Sequence, residues 1–253
     1  MASFPFDVNF ILLVVELSLL VPTLLLILLG TREHGGRQRL MDHLTNTAKM
    51  LSRQEYFISV ESAMRSATRS VKGSITGSPP KTGEQEDSVR KITTAIEQLT
   101  GKKNSSVKIQ YLLPKSQERL SVAYRYTEAG ATVKFHPALL VSDLRYIIVD
   151  DRLTVLGLPS ATGDDQPTRE GYSIPSEALA EIFANQFQTK WEQAIDYDNY
   201  ARAMLMEIRN HSPNVSSKLL SGQLSIPTDE IERLLSADSS EYLVETVKAG
   251  LSA

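Results

Sequence analysis

The sequence predicts an α/β fold in which one N-terminal transmembrane helix is followed by a mixed sheet flanked by helices. Three observations predict it. Residues 8–29 form one apolar run, VNFILLVVELSLLVPTLLLILL. Beyond residue 55, short apolar runs such as VKIQYLLP and LRYIIVDD alternate with longer segments of helical periodicity, the pattern of a mixed or mainly parallel sheet with helices on both faces. Glycine and proline punctuate the joins, at Gly101, Pro114, Gly130 and Pro175, where chain breaks are expected.

As a helix, the 22 residues from Val8 to Leu29 would span about 33 Å, against roughly 30 Å of bilayer hydrocarbon. The run has no polar stripe, which sets it apart from a core helix. It also lacks the basic leader and small-residue cleavage site of a signal peptide. Asp7 precedes it and Arg32, Arg37 and Arg39 follow, so the positive-inside rule places the N-terminus outside and the domain in the cytoplasm. Glu16 and Pro22 interrupt the apolar run. An acidic residue there costs about 2.5–3.5 kcal/mol on insertion, and Glu16 is the candidate contact to a membrane partner.

Leu40, Leu44, Ala48 and Leu51 then recur at helical spacing, predicting a juxtamembrane amphipathic helix over Arg37–Arg53. A helix is expected over 57–69 and a strand over 71–76, followed by the polar loop SPPKTGEQED. A helix over 88–99 leads to the strand 107–113, and a helix over 117–128 stops at Gly130. Strands are expected at 132–135, 144–149, 153–156 and 172–174, with a long helix beginning near Pro175-Ser176. Two short helical patterns, 228–235 and 239–251, close the chain. The expected organisation is an anchor (1–30), a juxtamembrane helix (31–54), an α/β domain (55–209) and a helical C-terminal appendage (210–253).

Composition narrows the chemistry. The 253 residues contain no cysteine, which removes disulfides, thiolate catalysis and cysteine-based metal sites. A formal net charge of -3 offers no general attraction to nucleic acid, so no nucleic acid partner is expected. No phosphate-binding glycine loop and no HExxH occur, so no cofactor and no metal are expected. His34 and His43 lie near the anchor and His211 beyond the main helix; His136, at a strand end before Pro137, reads as structural because it lacks a second copy or an orienting partner.

The stretches AGATVKFHP, DLRYIIVDDRLTVLGLP, REGYSI and FANQFQTKW resemble one half of a phospholipase D-like domain, with most of the likeness between Ala131 and Trp191. In that family an H-x-K-x4-D motif is followed by a glycine, and two histidines, one from each of two motif copies, act on one phosphodiester. Carried over by position, the histidine falls on Asp143, the lysine on Arg145 and the aspartate on Asp150, with Gly157 after them and the later serine and asparagine positions on Leu158 and Ser160. A carboxylate at Asp143 is a poor nucleophile toward an anionic phosphodiester and repels it. The resemblance therefore implies a domain whose catalytic motif has degenerated, with Arg145, Ser160 and Glu170 as candidate ligand-binding residues. Because Asp143 and Asp150 flank Arg145 in sequence, an Arg–Asp cluster is expected there.

Only one motif copy is present, and a homodimer or a membrane protein complex would supply the second half. The expected function is a membrane-tethered, catalytically degenerate phospholipase D-like domain acting as a binding, scaffolding or assembly subunit. A phosphodiesterase or nuclease of altered mechanism and a cytoplasmic sensor of an anionic ligand are the alternatives.

Overall fold

The computed structural model describes residues 48–101, 107–139, 144–159 and 168–236. The apolar run 8–29 with Glu16, most of the expected juxtamembrane helix and the terminal pattern 239–251 lie outside them. Among the described residues no helix is long and apolar enough to cross a membrane.

The chain begins with β1 (Lys49–Ser52) and α1 (Arg53–Arg65), then β2 (Ser70–Ser74), α2 (Gly83–Thr100) and β3 (Lys108–Pro114). A single 3-10 turn (Gln117–Arg119) leads into α3 (Leu120–Glu128) and β4 (Thr132–His136). Three strands follow, β5 (Arg145–Val149), β6 (Leu153–Pro159) and β7 (Thr168–Pro175), then α4 (Glu177–Glu192) and the short β8 (Ile195–Asp196). The last described elements are α5 (Tyr197–His211), α6 (Ser217–Leu224) and α7 (Thr228–Ser236).

One sheet takes the order β1-β7-β6-β5-β2-β3-β4-β8. Its centre, β2-β3-β4, is parallel. Each parallel step there is made through a helix, as such a connection requires. The other pairings are antiparallel. The expected mixed α/β sheet flanked by helices is what forms.

The two faces are unequal. The larger core packs the sheet against α1, α2, α3 and α5 and takes in Met64, Ile96, Tyr111, Phe135 and Leu205. The smaller one lies under α4, where Phe187 and Ala180 meet Leu112, Tyr146 and Ile148. Strand β5 is divided by its pleat: Ile147 and Val149 belong to the first core, Tyr146 and Ile148 to the second, as the period of two demands.

Several boundaries differ from the expectation. Residues 49–52 are a strand paired with β7, so the expected helix over Arg37–Arg53 does not reach its stated end. Helix α1 starts at Arg53 because Ser52 caps it: its hydroxyl accepts from the Glu55 N–H, and the Glu55 carboxylate accepts from the Ser52 N–H at 2.9 Å. Such a reciprocal box fixes a helix start more firmly than the apolar period. The α/β domain therefore starts before residue 55. Helix α2 begins at Gly83, inside the expected loop, with Thr82 as its cap. The long helix after Pro175-Ser176 is two helices, α4 and α5, separated by β8.

The C-terminal appendage expected from residue 210 is, over its described part, no appendage. Leu220, Leu224, Ile226, Ile231 and Leu234 are buried in the same core as the sheet.

Candidate functional site

Strand β5 carries both described members of the expected motif, at its two ends. Asp150 follows the strand and opens a tight turn. Both Asp150 and Asp151 have positive φ, 54° and 56°, and the Arg152 N–H donates to the Val149 carbonyl at 3.0 Å. Two left-handed central residues are what a hairpin turn matched to the strand twist needs. The Asp150 carboxylate accepts from the Thr68 N–H (2.9 Å), the Thr68 hydroxyl (2.7 Å), the Arg69 N–H (2.7 Å) and the Ser70 N–H (2.9 Å). Partial burial acts to raise its pKa, but these four hydrogen bonds outweigh it and hold the carboxyl below its ordinary value. Asp150 is a clasp between the β5–β6 hairpin and the start of β2.

Arg145 opens the strand, roughly 16 Å from Asp150 at about 3.3 Å per residue. The expected cluster of Arg145 with Asp150 is therefore corrected: close in sequence, they stand at opposite ends of an extended strand. Asp143 and Ser160 lie outside the described residues. Glu170 lies on β7, paired with Leu158 and Ser52.

By the pleat, Arg145 shares the face of Ile147, beneath α1. Its cross-strand neighbours in register are Gly157 and then Gly171, so no side chain rises from the sheet beside it on those strands. Tyr56 of α1 lies over this bare floor; a Cβ added at Gly171 would meet the Tyr56 ring at 2.6 Å and the Leu156 carbonyl at 2.9 Å. Gly171, the register partner of the motif's Gly157, thus sits at a close approach of helix to sheet.

Between α1, α2, α3 and the sheet lies a cavity of about 170 Å³. Its walls are chiefly apolar: Val60, Ile75, Val89, Ile92, Val122 and Ile147 line it together with the rings of Tyr56, Phe57, Tyr111 and Tyr126. The polar lining includes Arg145, Thr76, Ser78, Gln85 and Ser88. The rim is the segment after β2, at the carboxyl end of a parallel strand, where open α/β sheets place their ligands. Gly77 shapes that rim, with φ 60° and Leu113 Cδ2 only 2.3 Å from where a Cβ would stand. Arg119, buried, donates from Nε to the Thr76 carbonyl and fixes the rim from below.

Burial, with the nearby Arg119 charge, draws the Arg145 pKa down, and Tyr56 partly offsets this. Burial pushes the Tyr56 hydroxyl up to about 12, although Arg145 acts the other way. Burial likewise raises Tyr111 and Tyr126. A cation and protonated hydroxyls thus line the cavity in a low-dielectric surrounding, where a charged interaction is stronger than in water, and the Tyr111 hydroxyl is engaged with Met64 Sδ at 3.4 Å.

Other expectations fall elsewhere. His136 ends β4, three strands from β5 in the sheet, or roughly 14 Å at about 4.8 Å per strand. Its Nδ1 accepts from the Ala138 N–H at 3.2 Å. Among the described residues no group of three or more His, Cys, Asp or Glu is placed to hold a metal ion. The cavity itself was missed in the sequence. Its tyrosines come from three separate elements, and no spacing links them.

The pairing of two copies through residues 143, 145 and 150 loses its basis, because Arg145 lines a cavity within one chain and Asp150 is engaged at the far end of the strand. At the C-terminus, α6 and α7 are joined by three residues, Ser225–Pro227, with Ser225 left-handed at φ 52° and ψ 41°. Helix α7 packs on both α6 and α5. The exposed residues of α7 include Asp229 and Glu232.

No protein family matches the chain, and no curated protein does. Among solved structures it is similar to Nuc from Salmonella typhimurium, a phospholipase D family member, with 16% identity, a TM-score of 0.44, and coverage of 59% of this chain and 95% of that one. It is similar also to NucT from Helicobacter pylori, with 16% identity, a TM-score of 0.46, and coverage of 59% and 98%. A third is TrmBL2, an archaeal chromatin protein described as showing a novel mode of DNA binding, with 15% identity, a TM-score of 0.41, and coverage of 64% and 61%. The expectation that nucleic acid is no partner is corrected accordingly. A net charge averaged over 253 residues does not exclude a nucleic acid partner, because such recognition depends on the local surface.

Proposed function

We propose that this chain is a membrane-tethered, phospholipase D-like binding domain that does not hydrolyse phosphodiesters. The observation that carries the reading is the setting of Arg145. At the position where the resemblance puts the phosphate-binding lysine, a guanidinium lines a mainly apolar cavity together with Tyr56. That setting suits retention of a small ligand better than passage of a polymer backbone. Asp143 in the sequence, where the family carries its nucleophilic histidine, supports the same reading, because an ionised carboxylate neither attacks an anionic diester nor protonates its leaving group near neutral pH. The tether is residues 8–29, with the domain on the cytoplasmic side.

The test is hydrolysis of bis(p-nitrophenyl) phosphate by the full chain in lipid nanodiscs. No turnover above the protein-free rate is expected. Turnover that Arg145→Ala abolishes would instead establish an enzyme of altered mechanism. A reporter enzyme active only in the cytoplasm, fused to the C-terminus, should be active; activity from an exported-side reporter alone would reverse the orientation.

A second reading is favoured by the α6–turn–α7 arrangement, in which α7 is the helix that would face a DNA groove. Asp229 and Glu232 on that helix oppose it. A gel shift with a mixed-sequence duplex decides the matter. Binding at low salt that weakens with added salt and is lost in Lys218→Glu would support it, and no shift at low salt would remove it.

A further inference from the structure

We propose that the cavity under Tyr56 binds a small neutral alcohol with an apolar body, one the size of phenol, and that the Tyr56 and Tyr126 hydroxyls hold its oxygen. The inference rests on the reading of the domain as a non-hydrolytic binding module and names the ligand class of that module.

Two hydroxyls carry the inference. Tyr56 and Tyr126 both line the cavity, yet as residues they are only 6% and 4% exposed. Among the described residues neither hydroxyl makes a hydrogen bond, whereas that of Tyr111, the third tyrosine with a hydroxyl in this wall, donates to Met64 Sδ at 3.4 Å. Buried hydroxyls as a rule have a partner. Charge on Tyr56 would be felt at Tyr126, so the two come near each other across the space between α1 and α3. Burial keeps both protonated at neutral pH, and each can donate to or accept from a ligand oxygen.

Size and charge narrow the class. A closed apolar cavity of about 150 Å³ holds benzene, and this one, about 170 Å³, has room for one ring bearing a single hydroxyl. Val60, Val89, Ile92 and Val122 give such a ring the surroundings it prefers to water. A cluster of waters would need roughly two to four polar partners for each molecule, which walls of this kind do not supply. Arg145 is already engaged in an interaction, so an anion entering the cavity would lose its hydration without gaining that counter-charge. A cation would meet the field of Arg145 and of Arg119 behind it. The neutral class is what the cavity suits.

Isothermal titration of the full chain in nanodiscs, with empty nanodiscs as the reference, tests the class with phenol, toluene, benzoate and benzylammonium. Phenol is expected to bind saturably and neither ion measurably. Toluene, which has the ring and no hydroxyl, should bind roughly fivefold weaker than phenol. Tyr56→Phe and Tyr126→Phe keep the rings and should each weaken phenol by roughly threefold or more while leaving toluene unchanged. Ile92→Trp, which fills the apolar space, should abolish binding of both. Thermal melts of the variants without ligand show which of them fold; where one does not, the phenol-to-toluene ratio in the unaltered chain decides in its place.

Equal binding of phenol and toluene, tighter binding of either ion, or a phenol affinity untouched by both tyrosine substitutions would overturn the proposed class. Absence of all binding, with bis(p-nitrophenyl) phosphate still unhydrolysed, would overturn this inference alone. Hydrolysis of the diester would overturn the reading beneath it.

Discussion

Asp150 shows how one side chain can hold a sheet together from its edge of the turn. Its carboxylate accepts three backbone N–H groups and one hydroxyl from residues 68–70, and Asp150→Ala leaves these four donors to water. A loss of about 1–2 kcal/mol is expected, at the low end for a charged acceptor because the site is partly exposed. The pH dependence follows from the direction of its shift. The folded carboxyl titrates below the unfolded one, near 3.9. Its contribution is therefore complete above that value and disappears as the pH falls through the lower, folded one. Urea midpoints of the wild type and Asp150→Asn, followed from pH 7 downward, should differ by a constant amount and then converge in acid; a gap that persists through pH 2 would contradict the clasp. Gly73 offers a second measurement at this scale. A Cβ there would lie 2.7 Å from the Tyr111 ring and 3.2 Å from Ile147 Cγ2, so Gly73→Ala is expected to cost about 1–3 kcal/mol. It should also shift the intrinsic tyrosine fluorescence, because the ring it displaces lines the cavity.

At the scale of elements, the edge of the sheet is built by β1 and the cap that ends it. Ser52 is both the last residue of the strand and the N-cap of α1, so one serine fixes where an extended segment turns into a helix. Ser52→Ala is expected to lower stability by about 1 kcal/mol, read as a fall in the melting temperature. Ser52→Asp, which keeps an acceptor, should restore most of it. This start was legible in the sequence as a capping box, S-x-x-E over residues 52–55, but the periodicity of Leu40, Leu44, Ala48 and Leu51 outweighed it. The strand 49–52 was hidden for a physical reason: it is held by pairing with β7, far along the chain, and four residues carry no period of their own. The central strands were easier to read, because each is an apolar run closed by a breaker. The motif was half legible. Alternation along LRYIIV shows that Arg145 and Ile147 share a face, but not that Tyr56 lies above them. The same alternation, had it been extended to distance, would have separated Arg145 from Asp150.

Across the whole molecule, the largest revision is to where the domain ends. A serine-rich stretch after residue 210 reads as a linker, yet its hydrophobic residues complete the core laid down by the sheet. Glu230 is buried on α7, and Arg233 accompanies it, donating to Glu230 at 2.6 Å and to Asp198 of α5 at 2.9 Å. Those two carboxylates raise the Arg233 pKa, so the guanidinium stays charged throughout. The Arg202 Nε donates to the Leu234 carbonyl at 3.0 Å and ties the end of α7 to α5 as well. The strongest consequence concerns truncation. Removing everything after His211 withdraws Leu220, Leu224, Ile226, Ile231 and Leu234 from the core, a loss on the order of 10 kcal/mol at about 1.5–3 kcal/mol for each side chain. That is comparable with the entire stability of an ordinary domain. A chain ending at residue 211 should therefore fail to melt cooperatively and should bind a hydrophobic dye, whereas Leu234→Ala in the full chain should cost only about 2–4 kcal/mol. If the C-terminal helices were an independent appendage, the truncated chain would keep the cooperative melt of the full one. The same comparison bears on ligand binding, because α5 packs on β4 while the cavity opens between α1, α2 and α3. A core held shut by α6 and α7 keeps those layers in register, and a truncated chain should lose the site together with its cooperativity.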